Sequence, residues 1–157
     1  DCAEQREPIG NRRPIEAVWY TGRMMGETLA QTICRNKIEY KPGHWFNSAK
    51  ILDIEYKTYG WVYGKNGRPD NEIHFHWKHE DDTKCITIAF DKDSNLFLGI
   101  NAFVIRMRHE VFDKWLTEQR DIDYVLDHLA EANFDPEFYK RFEKDILKTY
   151  QNQFQNA

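Results

Sequence analysis

An α+β fold, an antiparallel meander of four to five strands with helices before and after it, is what the sequence predicts. Three observations predict it. Apolar residues alternate with polar ones at period two through the middle of the chain. The apolar period becomes helical on both sides of that region. Strands and helices are segregated along the chain rather than interleaved, which argues against a doubly wound sheet.

The elements follow in order. Asp1 to Pro14 is rich in charge and turn formers, with Pro8, Gly10, Asn11 and Pro14 and no apolar period, so it reads as an irregular lead-in. Ile15 to Val18 reads as a short extended segment. Thr21 is the expected N-cap of a helix whose Met25, Leu29 and Ile33 recur at i, i+4 and i+8. Gly22 and Gly26 share one small face of that helix, where either tight helix packing or the close approach of a flat ligand accounts for them. From Ile51, the residues Leu52, Ile54, Tyr56 and Thr58 alternate with Asp53, Glu55 and Lys57 as a half-buried strand requires. A turn at Asn66-Gly67 separates it from a second strand, Ile73, Phe75 and Trp77 alternating with His74, His76 and Lys78. Glu80 to Thr83 turns the chain into a third strand, Lys84 to Phe90, and the loop Asp91 to Asn95 leads to a fourth, Leu96 to Ile105. Val111, Phe112, Trp115 and Leu116 then mark one helix and Val125, Leu126 and Leu129 a second. Asp135-Pro136 is a helix-start signal for a third, carrying Phe138, Phe142, Ile146 and Tyr150.

Composition narrows the function classes. The 157 residues are 41% hydrophobic and 15% aromatic, enough for one domain with an apolar core. A net charge of −4 leaves no broad basic surface, so no nucleic-acid partner is expected. No apolar run reaches the roughly 20 residues that span a bilayer, so no membrane span is expected. Cys2, Cys34 and Cys85 form no CxxC pair and suit a reducing, cytoplasmic setting, with Cys34 and Cys85 as small core residues. The chain begins at Asp1 without an initiator methionine and reads as part of something longer.

The motifs that carry chemistry are few. His74 and His76 lie two apart and project from one face of a strand, so they either share a metal ion or form a solvated histidine stripe. Neither a cysteine pair nor an HxxxH pattern supplies further ligands, so no metal site is assigned. His109 and Glu110 open a helix, but adjacent helical residues diverge, so no catalytic pair is assigned. Neither GxGxxG nor GxxxxGK[ST] occurs, and any nucleotide must be held mainly by other sequence.

Three segments carry a resemblance. The first is Asp1-Cys2-Ala3. The second runs from Arg13 to Ala30 and includes Trp19-Tyr20-Thr21-Gly22-Arg23-Met24-Met25-Gly26. The third, Tyr40 to Gly60, holds Pro42-Gly43-His44-Trp45-Phe46-Asn47-Ser48 and the alternation from Leu52. In order and spacing these segments, with Leu96 to Phe103 and the helix from His109, resemble the last third of FAD-dependent pyridine-nucleotide oxidoreductases. The likeness is to the ferredoxin-reductase-like and disulfide-reductase-like members and covers Asp1 to Leu116.

The resemblance implies that Asp1 closes a Gly-Asp motif whose aspartate meets the flavin ribityl chain. It implies that Thr21, Gly22 and Gly26 lie where a helix N-terminus faces the isoalloxazine, its partial positive charge favouring a reduced flavin. Trp45 and Phe46 stand just upstream of Asn47, the position where ferredoxin-reductase-type members place an aromatic residue near the ring. On this reading residues 1–40 are a remnant of the FAD-binding domain, 41–119 a C-terminal interface domain, and 120–157 a helical extension packing on it. FAD and NAD(P)H serve the longer parent enzyme, and the isolated chain is inactive. The expected partners are the parent's N-terminal FAD- and NAD(P)-binding domains and a second copy in a homodimer. The alternative is an autonomous protein-interaction module without a redox role.

Overall fold

The computed structural model describes residues 3–8, 12–134 and 140–155, which fall into two compact units, 1–43 and 44–157. In the first, the lead-in reaches a helix α1, Trp19–Ile33. The second holds five strands, β1 Phe46–Ile51, β2 Ile54–Gly60, β3 Glu72–Lys78, β4 Cys85–Asp91 and β5 Phe97–Phe103. Helices α2 His109–Thr117, α3 Ile122–Asp127 and α4 Glu143–Tyr150 follow, with a 3-10 turn at Leu129–Ala132 and a π turn at Gln151–Gln155. The class is α+β with an antiparallel sheet, as the segregated order predicts.

The sheet order is β1-β2-β5-β4-β3, every pair antiparallel. Strands β3, β4 and β5 form a meander and β1-β2 a hairpin. The hairpin joins through β2 to β5, so β3 lies at the far edge rather than beside β2. The expected single strand from Ile51 to Thr58 is corrected: Leu52 and Asp53 are the two-residue turn between β1 and β2, and Leu52 is 88% exposed with φ of +54°. Ile51 and Ile54 pair across that turn and so share a face, which means that the turn shifts the alternation by one residue: Ala49 and Ile51 lie on the face of Ile54 and Tyr56.

Register explains the core. Phe75, Trp77, Ile86, Ile88, Ile100 and Tyr59 fall on one face because Phe75 pairs Ile88, Ile88 pairs Ile100 and Ile100 pairs Tyr59. Phe112 and Trp115 of α2, Val125 and Leu126 of α3, and Ile146 and Tyr150 of α4 cover that face. The Tyr59 ring stacks on Phe112 at 4.9 Å and its hydroxyl donates to the Met107 carbonyl at 2.8 Å. The Trp77 indole N–H donates to Asp145 Oδ2 at 2.8 Å, tying α4 to the β3 edge. Helices α3 and α4 and the 3-10 turn therefore belong to the same core as the sheet. The expected helix start at Asp135-Pro136, with Phe138, lies outside the described residues; Phe142 is the N-cap of α4.

Two acidic side chains shape the hairpins. Asp81 accepts from the Thr83 N–H at 2.9 Å and Thr83 Oγ1 at 2.6 Å, with Lys84 Nζ at 3.1 Å, and these bonds hold its carboxyl well below the usual range. Asp91 does the same from the amides of Asp93 and Ser94. Among the described residues no helix is long and apolar enough to cross a membrane.

Candidate functional site

The first unit is organised around a buried ion pair. Arg12 donates to both oxygens of Glu16 at 2.7 and 2.9 Å, and its other nitrogen donates to the carbonyls of Pro42 and Gly43 at 3.3 and 3.1 Å. One guanidinium thus joins the segment entering α1 to the segment leaving the unit, a planar fork matched by a carboxylate on one side and carbonyls on the other. Burial, then the charge of Glu16, pushes the Tyr40 hydroxyl up, while Arg12 opposes them.

Helix α1 starts three residues earlier than expected. Val18, extended at φ −125° and ψ 131°, is the N-cap and offers no side-chain acceptor, and the first turn holds no acidic residue. Thr21 is therefore corrected from cap to third helical residue. It is buried, and its hydroxyl donates back to the Val18 carbonyl at 2.8 Å. The positive end of α1 is left without a side-chain acceptor of its own, the condition that favours an anionic or carbonyl ligand. A Cβ built on Gly22 or Gly26 meets nothing within 4 Å. Tight helix packing at these glycines is thus not what the structure shows. On the expected apolar face Met25 is half-buried while Leu29 at 59% and Ile33 at 72% are exposed, as is Trp19 at 77%. Cys34, expected in a core, is exposed, and Cys85 is half-buried with burial pushing its thiol up. Asp1, the other expected flavin contact, lies outside the described residues, as does Cys2.

In the second unit Trp45 and Phe46 part company, as adjacent residues entering a strand must. Phe46 turns to the helix side, its ring 4.0 Å from that of His109, which also lies 5.6 Å from Tyr59. His109 is thereby half-buried between two aromatic rings while Glu110 is exposed, so the two do not face each other as an acid–base pair. Trp45 instead stacks on Trp61, with ring centroids 5.3 Å apart and planes 14° from parallel, and Trp61 stacks on Tyr63 at 6.1 Å and 20°.

Two glycines set this aromatic corner. Gly60 has φ of +67°, and a Cβ there would lie 2.2 Å from the Leu98 carbonyl oxygen. A Cβ on Gly99 would lie 2.7 Å from both the N and the O of Trp61. The chain leaving β2 crosses β5 so closely that only glycine fits at either point. The Gly60 N–H donates to the Trp45 carbonyl at 2.7 Å and the Trp61 N–H to the Leu98 carbonyl at 3.0 Å, which fixes the backbone from which both indoles project. Sequence reasoning missed Trp61 and Tyr63; an aromatic pair two apart directly after a strand-ending glycine was the available signal.

The remaining chemistry-bearing residues are spoken for locally. His74 Nε2 pairs with buried Glu72, whose Oε1 also accepts from the Tyr63 N–H at 3.2 Å. His76 Nδ1 meets Thr87 Oγ1 at 2.9 Å. Among the described residues no three His, Cys, Asp or Glu side chains converge as metal ligands. The sheet face opposite the helices is open, with a cavity of about 390 Å³ lined by Ile51, Ile54, Tyr56, Thr58, Asn101 and Phe103.

Comparison with family models and with curated proteins finds no match for this chain.

Proposed function

We propose that this chain is the C-terminal, interface-forming region of an FAD-dependent NAD(P)H oxidoreductase, completing one edge of the flavin site and inactive alone. The observation that carries the reading is the incompleteness of α1: an end without a side-chain cap, two bare glycines, and exposed Trp19, Leu29 and Ile33. A helix of this kind leaves apolar area uncovered that the parent's FAD- and NAD(P)-binding domains would bury. The residues fit the group. The amide end at Thr21 would hold a flavin carbonyl oxygen, the Gly22 N–H being already given to the Val18 carbonyl at 3.1 Å, and Gly22 and Gly26 leave room for a flat ring. The Phe46 ring is engaged by His109 and the Trp45 ring by Trp61, so neither of the two aromatic residues is singled out as the flavin neighbour. FAD, when bound, supplies the acceptor for hydride from NAD(P)H. This chain's own residues bind, orient and exclude water. Free Cys34 and Cys85 suit a reducing, cytoplasmic compartment.

The test is a substitution with opposite effects in two settings. Gly22→Ala and Gly26→Ala each stabilise α1 by about 1 kcal/mol in this chain, because alanine is the better helix former and nothing obstructs its methyl group. In the longer protein the same substitutions lower the flavin content of the purified enzyme and its NAD(P)H oxidation. Unchanged flavin content in both variants would refute the assignment of this helix end, and NAD(P)H oxidation by the isolated chain would refute its supporting role.

The open sheet face favours a second reading, an autonomous module that binds a protein partner or its own copy through Ile51, Ile54, Tyr56 and Phe103. Light scattering with and without the parent's N-terminal domains separates the two, since an autonomous module is indifferent to those domains.

A further inference from the structure

We propose that Trp45, Trp61 and Tyr63 form a radical-transfer ladder that carries a one-electron oxidising equivalent from Trp45 to Tyr63. The three rings follow one another in near-parallel stacks, 5.3 Å and then 6.1 Å between centroids. At ring contact of this kind, electron exchange between neighbours outruns loss of a radical to bulk solvent. The stack is held by backbone rather than by side-chain packing alone: Trp45 and Trp61 are pinned by the Gly60 and Trp61 amide bonds, and the Tyr63 N–H is held by buried Glu72. Gly60 and Gly99 permit the crossing that brings the rings together. All three residues are half-buried. At neutral pH a phenol that can release its proton is easier to oxidise than an indole, so the order Trp, Trp, Tyr runs downhill toward Tyr63.

The steps balance as follows. A one-electron oxidant, such as a small inorganic radical, takes an electron from the Trp45 indole, which releases its N–H proton to water and becomes a neutral radical. Trp61 then gives Trp45 one electron and one proton equivalent, and Tyr63 gives the same to Trp61. The sum is a reduced oxidant, one released proton and a Tyr63 phenoxyl radical with both indoles restored. A thiol or ascorbate in solution returns an electron and a proton to Tyr63. The ladder in this sense is a drain that moves oxidising damage away from the Trp45 end to a position where soluble reductants quench it. It goes beyond the flavin reading and uses no flavin, so the two fail separately.

Pulse radiolysis with the azide radical, which oxidises indoles, tests it on the full chain. Trp19, 77% exposed, is replaced by Phe throughout to remove a competing target, while Trp77 and Trp115 are buried at 1% and 0%. The expected result is a first-order decay of indolyl absorption matched by growth of tyrosyl absorption, at a rate independent of protein concentration. Tyr63→Phe, which keeps a ring in the stack, abolishes that growth and leaves a long-lived indolyl radical. Trp61→Phe interrupts the middle and slows it, and circular dichroism confirms that each variant is folded. Tyrosyl growth that persists unchanged in Tyr63→Phe, or that is absent or concentration-dependent without that substitution, would overturn the ladder.

Discussion

Gly99→Ala is the sharpest test of how the aromatic corner is built. The added methyl group would stand 2.7 Å from the backbone N and O of Trp61 and 2.8 Å from the Tyr59 carbonyl oxygen, where ordinary contact begins at 3.4 Å. Every offending atom is backbone, so no side chain can rotate away. The strand must yield by about 0.7 Å in a region where β2 and β5 are hydrogen-bonded on one side and the core is full on the other. Overpacking of this kind costs about 1–3 kcal/mol. Lengthening the Trp61 N–H bond to Leu98, now 3.0 Å, adds about 1 kcal/mol. Together the loss is about 3 kcal/mol, which for a unit of this size lowers Tm by roughly 10 °C. The assay pairs thermal unfolding with near-ultraviolet circular dichroism, where two stacked indoles give a coupled signal that should weaken as Trp61 is displaced from Trp45. A variant with unchanged Tm and an unchanged indole signal would show that the β2–β5 crossing is looser than the geometry requires, and the argument for Gly99 would fall.

Three further outcomes follow from named groups. Tyr59 is buried against Phe112, and that burial, with the charges of Glu110 and Glu55 next, raises its hydroxyl from 10.0 to about 12. A group whose folded value is raised contributes stability in full below its unfolded value and loses it as pH rises through the folded one. Unfolding free energy should therefore fall between pH 10 and 12 by about 2–3 kcal/mol. Tyr59→Phe removes that part of the slope, and denaturant melts across this window measure it. Leu52 sits in the left-handed region at φ +54° with an exposed side chain, so Leu52→Gly should stabilise the β1–β2 hairpin by about 1 kcal/mol, read as a higher midpoint in urea. Of the two described cysteines, exposed Cys34 should be alkylated before half-buried Cys85, whose thiol is pushed up by burial; peptide mass mapping after limited maleimide treatment decides the order.

What the sequence determined by itself was the class and most of the elements of the second unit. Alternation at Ile73–Trp77 and the helical spacing of Phe112 and Trp115 are local, periodic signals, and the strand β3 and helix α2 follow them. The Asn66-Gly67 turn and the Asp91–Asn95 loop were legible for the same reason: their chemistry is contained in a few adjacent residues. Tertiary structure alone decided the rest. The Ile51 to Thr58 run hid a turn because Leu52 keeps step with Ile54, Tyr56 and Thr58 although it sits in the turn, and only cross-strand register, which pairs Ile51 with Ile54, reveals that. Helical spacing on α1 puts Met25, Leu29 and Ile33 on one face, yet Leu29 and Ile33 are exposed, because burial needs a partner surface, which periodicity does not specify. Trp45 and Phe46 looked equivalent in sequence and were separated by strand alternation, one toward Trp61 and the other against His109. The aromatic corner depends on β2 lying beside β5, strands nearly forty residues apart in the chain, and on two glycines that let their backbones touch. Local patterns set what each segment becomes; which segments meet is set by packing between residues that are remote in sequence.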